Sequence, residues 1–219
     1  MRKRLIIALI FFLFFSTYQI QDNFRINFPQ NIEKIIIENN QISETEKIKN
    51  SLVFLYETNI FYLNTKDIKT NLEKFEFIDS FEIRKKFPNQ IKIKIFEKKP
   101  IAIIQNKRNK KYYTNKGEVI NFKKLKEFKD LPLVFGDEKN FGKFYRRLKN
   151  TNFPLNEIKR FYLFESKRWD LVTKKNQTIK LPNIGYEKSL KNFMDIKDQL
   201  NFEKYKTFDY RITNQLILK

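Results

Sequence analysis

The side chains able to do chemistry are few in kind. None of the 219 residues is His or Cys. That removes the Ser-His-Asp triad, the Cys-His pair and the tetrahedral zinc site of the usual ligands. Disulfides, thioredoxin-type motifs, haem attachment and a lipoprotein cysteine go with them. A carboxylate pair, a Ser–Lys dyad or an oxygen-ligated metal would survive, but no constellation of residues points to one. The four glycines, Gly117, Gly136, Gly142 and Gly185, lie too far apart to cradle a phosphate. Glu97, ahead of Lys98-Lys99-Pro100, reads as an edge charge paired with a neighbouring lysine. Trp169, the single Trp, stands between Arg168 and Asp170 and reads as hairpin packing. The expectation is a chain with no catalytic residue, no metal site and no cofactor.

Charge supplies the next constraint. Lys+Arg number 45 against 25 Asp+Glu, giving +20. A basic chain invites a nucleic-acid reading, because clustered cations release counterions from phosphate. Two features argue against it. The cations are 35 Lys and only 10 Arg, whereas forked recognition of phosphate and bases favours Arg. The aromatics, 24 Phe and 10 Tyr, fall on faces that periodicity assigns to a core. Lys, Asn, Ile and Phe crowd out Ala, Gly and Pro, as in a genome drifting towards A and T. A solvated lysine-rich surface and no nucleic-acid or small-molecule ligand are therefore expected, although excess positive charge favours acidic partners or anionic surfaces.

The elements that would position any site begin with Met1-Arg2-Lys3-Arg4, then Leu5 to Phe15 without a polar residue. A basic tip before an apolar run is the pattern of an export signal or signal anchor. A helix over 5–20 would rise about 24 Å, short of the roughly 30 Å hydrocarbon core, a difference that local thinning, Arg4 and Tyr18 can absorb. Cleavage needs small residues at alternate positions, which Thr17-Tyr18-Gln19 supplies poorly, so an uncleaved anchor is the preferred reading over a cleaved signal peptide. Residues 1–4 then form a cytoplasmic tail, 21–31 a linker, and the remainder lies outside the cytoplasm.

Ile32 to Ile37 is apolar and β-branched, a strand. Ser43-Glu44-Thr45-Glu46 predicts a capping box opening a helix through Ile48, Leu52 and Leu55. A second helix begins near Thr65 with Ile68, Leu72 and Phe75 on one face. Residues 81–84 and 91–95 alternate as half-buried strands around a Pro88-Asn89 turn. The order β-α-α-β-β over 32–98 suits two helices on one face of a small sheet. Beyond Pro100 the chain is richer in strands. A hairpin over 111–122 turns at Asn115–Gly117, and 131–136 is a short strand. Asp137 to Asn150 is a helix with Phe141, Phe144, Tyr145 and Leu148 inward. Strands follow within 158–181, then a helix from Tyr186 to Leu200. Phe208 to Leu218 closes the chain as a last strand. If that strand lies at a sheet edge, its unpaired N–H and C=O groups offer a template for strand addition; if it pairs on both sides, they do not. The pattern leaves both open.

Several short stretches together resemble the FtsQ/DivIB family of bacterial cell-division proteins. They are Ile78 to Ile93, with its basic residues and Phe87-Pro88 turn, the join Glu97-Lys98-Lys99-Pro100-Ile101-Ala102, and the single-Gly hairpin Tyr113 to Val119. Leu131-Pro132 with Gly136, then Arg168-Trp169-Asp170-Leu171, then Asp209-Tyr210-Arg211 follow in order. The resemblance implies an α+β protein: one N-terminal transmembrane helix, a POTRA domain (32–98) and a C-terminal β-rich domain with flanking helices (99–219). It further implies a non-enzymatic, single-pass type II scaffold of the inner membrane at the division septum, with its bulk in the periplasm. Its partners would be FtsB- and FtsL-like coiled-coil division proteins and other divisome proteins, bound by addition to the last strand. By position Tyr210, Arg211, Ile212, Asn214 and Leu216 would carry that contact, Arg211 meeting an acidic residue. Ile212 stands where the family often has Tyr, the cytoplasmic tail is only about four residues, and no C-terminal extension is expected. A POTRA module for outer-membrane protein transport is the alternative, and it would need a β-barrel or repeated POTRA units.

Overall fold

The computed structural model describes residues 2–16, 31–107, 109–197, 204–212 and 214–219. Helix α1, Arg2–Ser16, has 15 residues and so rises about 22 Å. Its apolar side chains from Leu5 to Phe14 are exposed on all sides. Among the described residues no helix is long and apolar enough to cross a membrane. The apolar stretch expected to form a transmembrane helix over 5–20 is helical as far as it is described, through Ser16; residues 17–20 lie outside the described ones, as do Leu200 and most of the spacer at 21–31.

The first unit comprises β1 (Lys34–Glu38), α2 (Thr45–Ser51), α3 (Thr65–Leu72), β2 (Ile78–Lys86) and β3 (Gln90–Glu97), the order read from the sequence. The sheet runs β1-β3-β2, with β1 parallel and β2 antiparallel to the central β3. Alternation along β3 decides its faces. Ile91, Ile93 and Ile95 are fully buried, while Lys92 turns outward and meets Glu38 at 2.6 Å. Ile48, Leu52, Leu55, Ile68 and Leu72 close over the apolar face. Each such side chain contributes about 1.5–3 kcal/mol by leaving water. The helix expected through Leu55 is shorter: α2 stops at Ser51 and Leu55 sits in a 3-10 turn over Val53–Glu57, still buried.

The capping box does not form. Glu44 occupies the cap position with no side-chain capping bond. The Ser43 N–H instead donates to the Glu97 carboxylate at 2.7 Å, alongside those of Gln41 at 2.9 Å and Ile42 at 3.0 Å. A carboxylate meeting three oriented N–H groups makes stronger bonds than a hydroxyl can. Glu97 is therefore no lysine-paired edge charge: it clasps the loop before α2 to the end of β3.

The second unit holds β4 (Pro100–Asn106), β5 (Asn109–Thr114), β6 (Val119–Asn121), β7 (Leu133–Phe135), α4 (Glu138–Lys149), β8 (Ile158–Leu163), β9 (Trp169–Thr173), β10 (Thr178–Lys180), α5 (Tyr186–Lys197), β11 (Thr207–Asp209) and β12 (Ile217–Leu218). Nine strands form one mixed sheet in the order β12-β11-β10-β9-β8-β7-β4-β5-β6. The strand β4 was not anticipated. Pro100 reads as punctuation in sequence, yet proline is tolerated as the first residue of a strand.

Parallel neighbours require a crossover, and β7-α4-β8 and β10-α5-β11 supply two. Both step the same way across strands of the same direction. The handedness rule for such crossovers then puts both helices on one face. Accordingly Phe141, Phe144 and Leu148 of α4 share one core with Leu190 and Phe193 of α5. Beneath them Ile104, Val134, Phe161, Leu171, Ile179, Phe208 and Leu218 stand opposite one another as a single row across seven strands. Phe144 stacks on Trp169 with ring centres 4.7 Å apart, the packing role expected of that Trp.

Candidate functional site

The last strand expected over Phe208–Leu218 is two short strands joined by a turn. Strand β11 lies parallel on β10, with Phe208 beside Ile179 and Asp209 beside Lys180. The Tyr210 N–H adds one more rung to the Lys180 carbonyl at 2.9 Å. There the extension stops. The buried Asp209 carboxylate accepts from the Arg211 N–H at 3.1 Å and from its guanidinium, Nε to Oδ1 at 2.8 Å and Nη2 to Oδ2 at 2.6 Å. Holding a residue two places along in this way bends the chain. Asn214 then takes φ 60, a left-handed conformation outside the extended region that Asn tolerates. The chain returns as β12, antiparallel to β11, with Leu218 opposite Phe208.

Tyr210, Arg211, Ile212, Asn214 and Leu216 therefore sit on the β11–β12 connection and not on a strand. The turn brings four of them together. Tyr210, Ile212, Asn214 and Leu216 line a cleft of about 440 Å³, facing Lys188 and Asn192 of α5. Tyr210 is buried, its hydroxyl donating to Asn192 Oδ1 at 3.0 Å, and burial raises its pKa. Ile212 is exposed, while Leu216 packs on the helix-side core. Arg211 stands apart from the cleft, its guanidinium committed to Asp209.

Sequence reasoning missed the opposite wall, Lys188, Asn192 and Ile184. No sequence signal marked that wall; only the structure shows Ile184, 87% exposed just ahead of Gly185. Beyond the turn, β12 is the outermost strand of its sheet, and among the described residues no strand pairs with its outer side.

Two buried aspartates flank this end of the sheet with opposite electrostatics. The hydrogen bonds from Arg211 hold the Asp209 carboxyl below the usual range, against the pull of burial. Burial instead pushes Asp170 up, although Arg168 lies beside it at 3.2 Å. The arrangement can present an unpaired strand edge, a cleft of mixed apolar and polar lining and a fixed guanidinium to a partner.

Known proteins give this arrangement its context. The profile of the POTRA domain, FtsQ-type, matches residues 30–98. The profile described as Cell division protein FtsQ/DivIB, C-terminal, matches residues 102–211. Cell division protein FtsQ of Rickettsia felis is 30% identical over 193 residues, covering 86% of this chain and 72% of that protein. Cell division protein DivIB of Clostridium botulinum is 31% identical over 133 residues, 61% of this chain and 51% of that one. The solved extracytoplasmic domain of DivIB from Geobacillus stearothermophilus aligns with 48% of this chain and 96% of its own at 13% identity and a TM-score of 0.35.

Proposed function

Because the chain belongs to the FtsQ/DivIB family of cell-division proteins, we propose that it acts as a non-catalytic scaffold of the divisome. In this reading α1 and the residues after it anchor the protein in the inner membrane as a single-pass type II protein. The two folded units then lie in the periplasm at the division septum. The partners are FtsB- and FtsL-like coiled-coil proteins. One partner segment adds as a further strand to β12 while an apolar side chain of it enters the cleft between Tyr210, Ile212 and Leu216.

The observation that carries the reading is the open outer side of β12 directly beside that cleft. Main-chain bonds along an edge give affinity, and a neighbouring pocket gives specificity. The exposed apolar surface of α1 supports the anchor.

The test is binding of the full chain to the periplasmic segments of the organism's FtsB- and FtsL-like proteins, at low and high salt. A chain ending at Lys206 lacks β11 and β12 and should lose binding. Arg211→Glu also breaks the Asp209 pair, so Ile212→Asp, at an exposed position, serves as the independent probe. Both should weaken binding at least tenfold, while the surface reversal Lys66→Glu should leave it unchanged. Retained binding by the shortened chain, or equal loss in all three variants, would remove the proposal.

A further inference from the structure

The opposite face of the nine-stranded sheet carries a second concave surface. Registers place Arg160, Leu133, Ile103, Tyr112 and Ile120 opposite one another across β8, β7, β4, β5 and β6. This row faces away from α4 and α5, since Ile104 and Tyr113, their chain neighbours, belong to the helix-side core. Residues 122–131 fold over part of it and wall a groove of about 1070 Å³. Ile103, Tyr112, Phe122, Phe128 and Leu131 make its floor and one side.

The rim is cationic. Lys110, Lys124, Lys126, Lys129, Lys159 and Lys174 surround the floor, with Arg160 inside and Asp130 as the single acid of the lining. A few lysines elsewhere meet carboxylates, as Lys92, Lys98, Lys116 and Lys197 do. Among the described residues none of the seven cations here pairs with one. The Arg160 Nε is buried with no hydrogen-bond partner, and a buried donor without an acceptor is costly. Groove and orphan donor lie together.

We propose that this groove receives an acidic amphipathic segment of a protein partner, its apolar side chains on the floor and its carboxylates on the lysine rim and Arg160. Charge complementarity selects the acid, because an excess of six cations repels itself until an anion arrives. The apolar floor selects a segment with a hydrophobic face, the helix-in-groove mode. The volume exceeds the roughly 300–1,000 Å³ typical of small-ligand pockets, and the wall at 122–131 makes it a trough where a bilayer surface is flat. The site is separate from the β12 edge: four strand spacings lie between β12 and β8, roughly 19 Å, and the groove opens on the other face.

The probe is a fluorescent 16-residue Leu/Glu peptide with Leu at i, i+3, i+4 and i+7 spacing. Its anisotropy is titrated with the full chain held in phosphatidylcholine nanodiscs. The triple variant Lys126→Glu, Lys129→Glu, Lys159→Glu changes only exposed side chains and should weaken binding at least tenfold. A control reversing Lys66, Lys139 and Lys143 should weaken it less than threefold. A peptide of the same composition with Leu spread around the helix should bind at least tenfold more weakly than the amphipathic one. Equal losses in the two triple variants, or equal binding of the two peptides, would overturn the groove assignment in favour of diffuse charge attraction. Phosphatidylglycerol vesicles that displace the peptide, and whose own binding depends on the same three lysines, would overturn it in favour of an anionic lipid.

Discussion

Asp209 and Asp170 show how two aspartates of similar burial come to opposite electrostatic ends. Asp209 has a guanidinium fixed on it by hydrogen bonds, so its folded pKa is lowered. Stability from it is present above the unfolded pKa and is lost as pH falls through the folded one. Asp170 is raised by burial, so the folded state holds its proton more tightly than the unfolded chain and stability rises as pH falls through its folded value. In urea unfolding at pH 7, Asp209→Asn should therefore lower the midpoint and Asp170→Asn should not. The Asp209→Asn deficit should shrink in acid. Equal deficits at pH 7 would contradict the assignment. A second residue-scale test concerns Gly142, where an added Cβ would collide with the Tyr113 hydroxyl. Ala in place of Gly normally gains about 1 kcal/mol within a helix, but overpacking costs about 1–3 kcal/mol, and Tyr113 is buried beside Phe141. Gly142→Ala should lower the melting temperature, and Tyr113→Phe in the same chain should recover part of the loss. A rise on Gly142→Ala alone would mean the ring has room to tilt.

At the scale of elements, legibility followed local chemistry. Helix α4 was read nearly to the residue because its signals are all in its own sequence: Asp137 accepts from the Asn140 N–H at 2.8 Å, and the apolar stripe starts at Phe141. Burial raises the Asp137 pKa, but the bonds from Asn140 outweigh it and leave the carboxyl below its ordinary value. Asp137→Ala should cost about 1 kcal/mol, as cap removals do, measured by thermal unfolding at pH 7; no change would show the cap to be dispensable. Where a distant group decides, the sequence was silent. Nothing near Ser43 reveals that Glu97, 54 residues away, claims its N–H. The break between β11 and β12 was missed for a related reason, since Asp209-Tyr210-Arg211 reads as continuing alternation until the carboxylate is seen to turn back on Arg211. Of the proposed partner site, the Tyr210–Leu216 side was legible and the α5 side was not, because only the crossover brings Lys188 and Asn192 to it.

Across the whole molecule the two units are joined by a two-residue step between β3 and β4, reinforced from the side. Lys116 meets Asp79 at 2.6 Å, Glu76 accepts from the Asn121 N–H at 3.1 Å, and Phe77 abuts Tyr112. Exposed pairs are worth about 0–1 kcal/mol each, so Asp79→Ala with Glu76→Ala should barely move the melting temperature. The double variant should nonetheless be cut faster by trypsin after Lys98, because the ties limit how far the units open. An unchanged cutting rate would leave the restraint to Phe77 and to the Lys98–Glu118 pair. The arrangement of the smaller sheet carries one more consequence. Strand β3 alone touches both β1 and β2, which do not touch each other. A chain whose synthesis halts before Gln90 holds two strands with an empty lane between them, and every exposed edge invites a neighbour. Such an unfinished product bares two more strand edges than the finished sheet does, and adding the eight residues of β3 closes both.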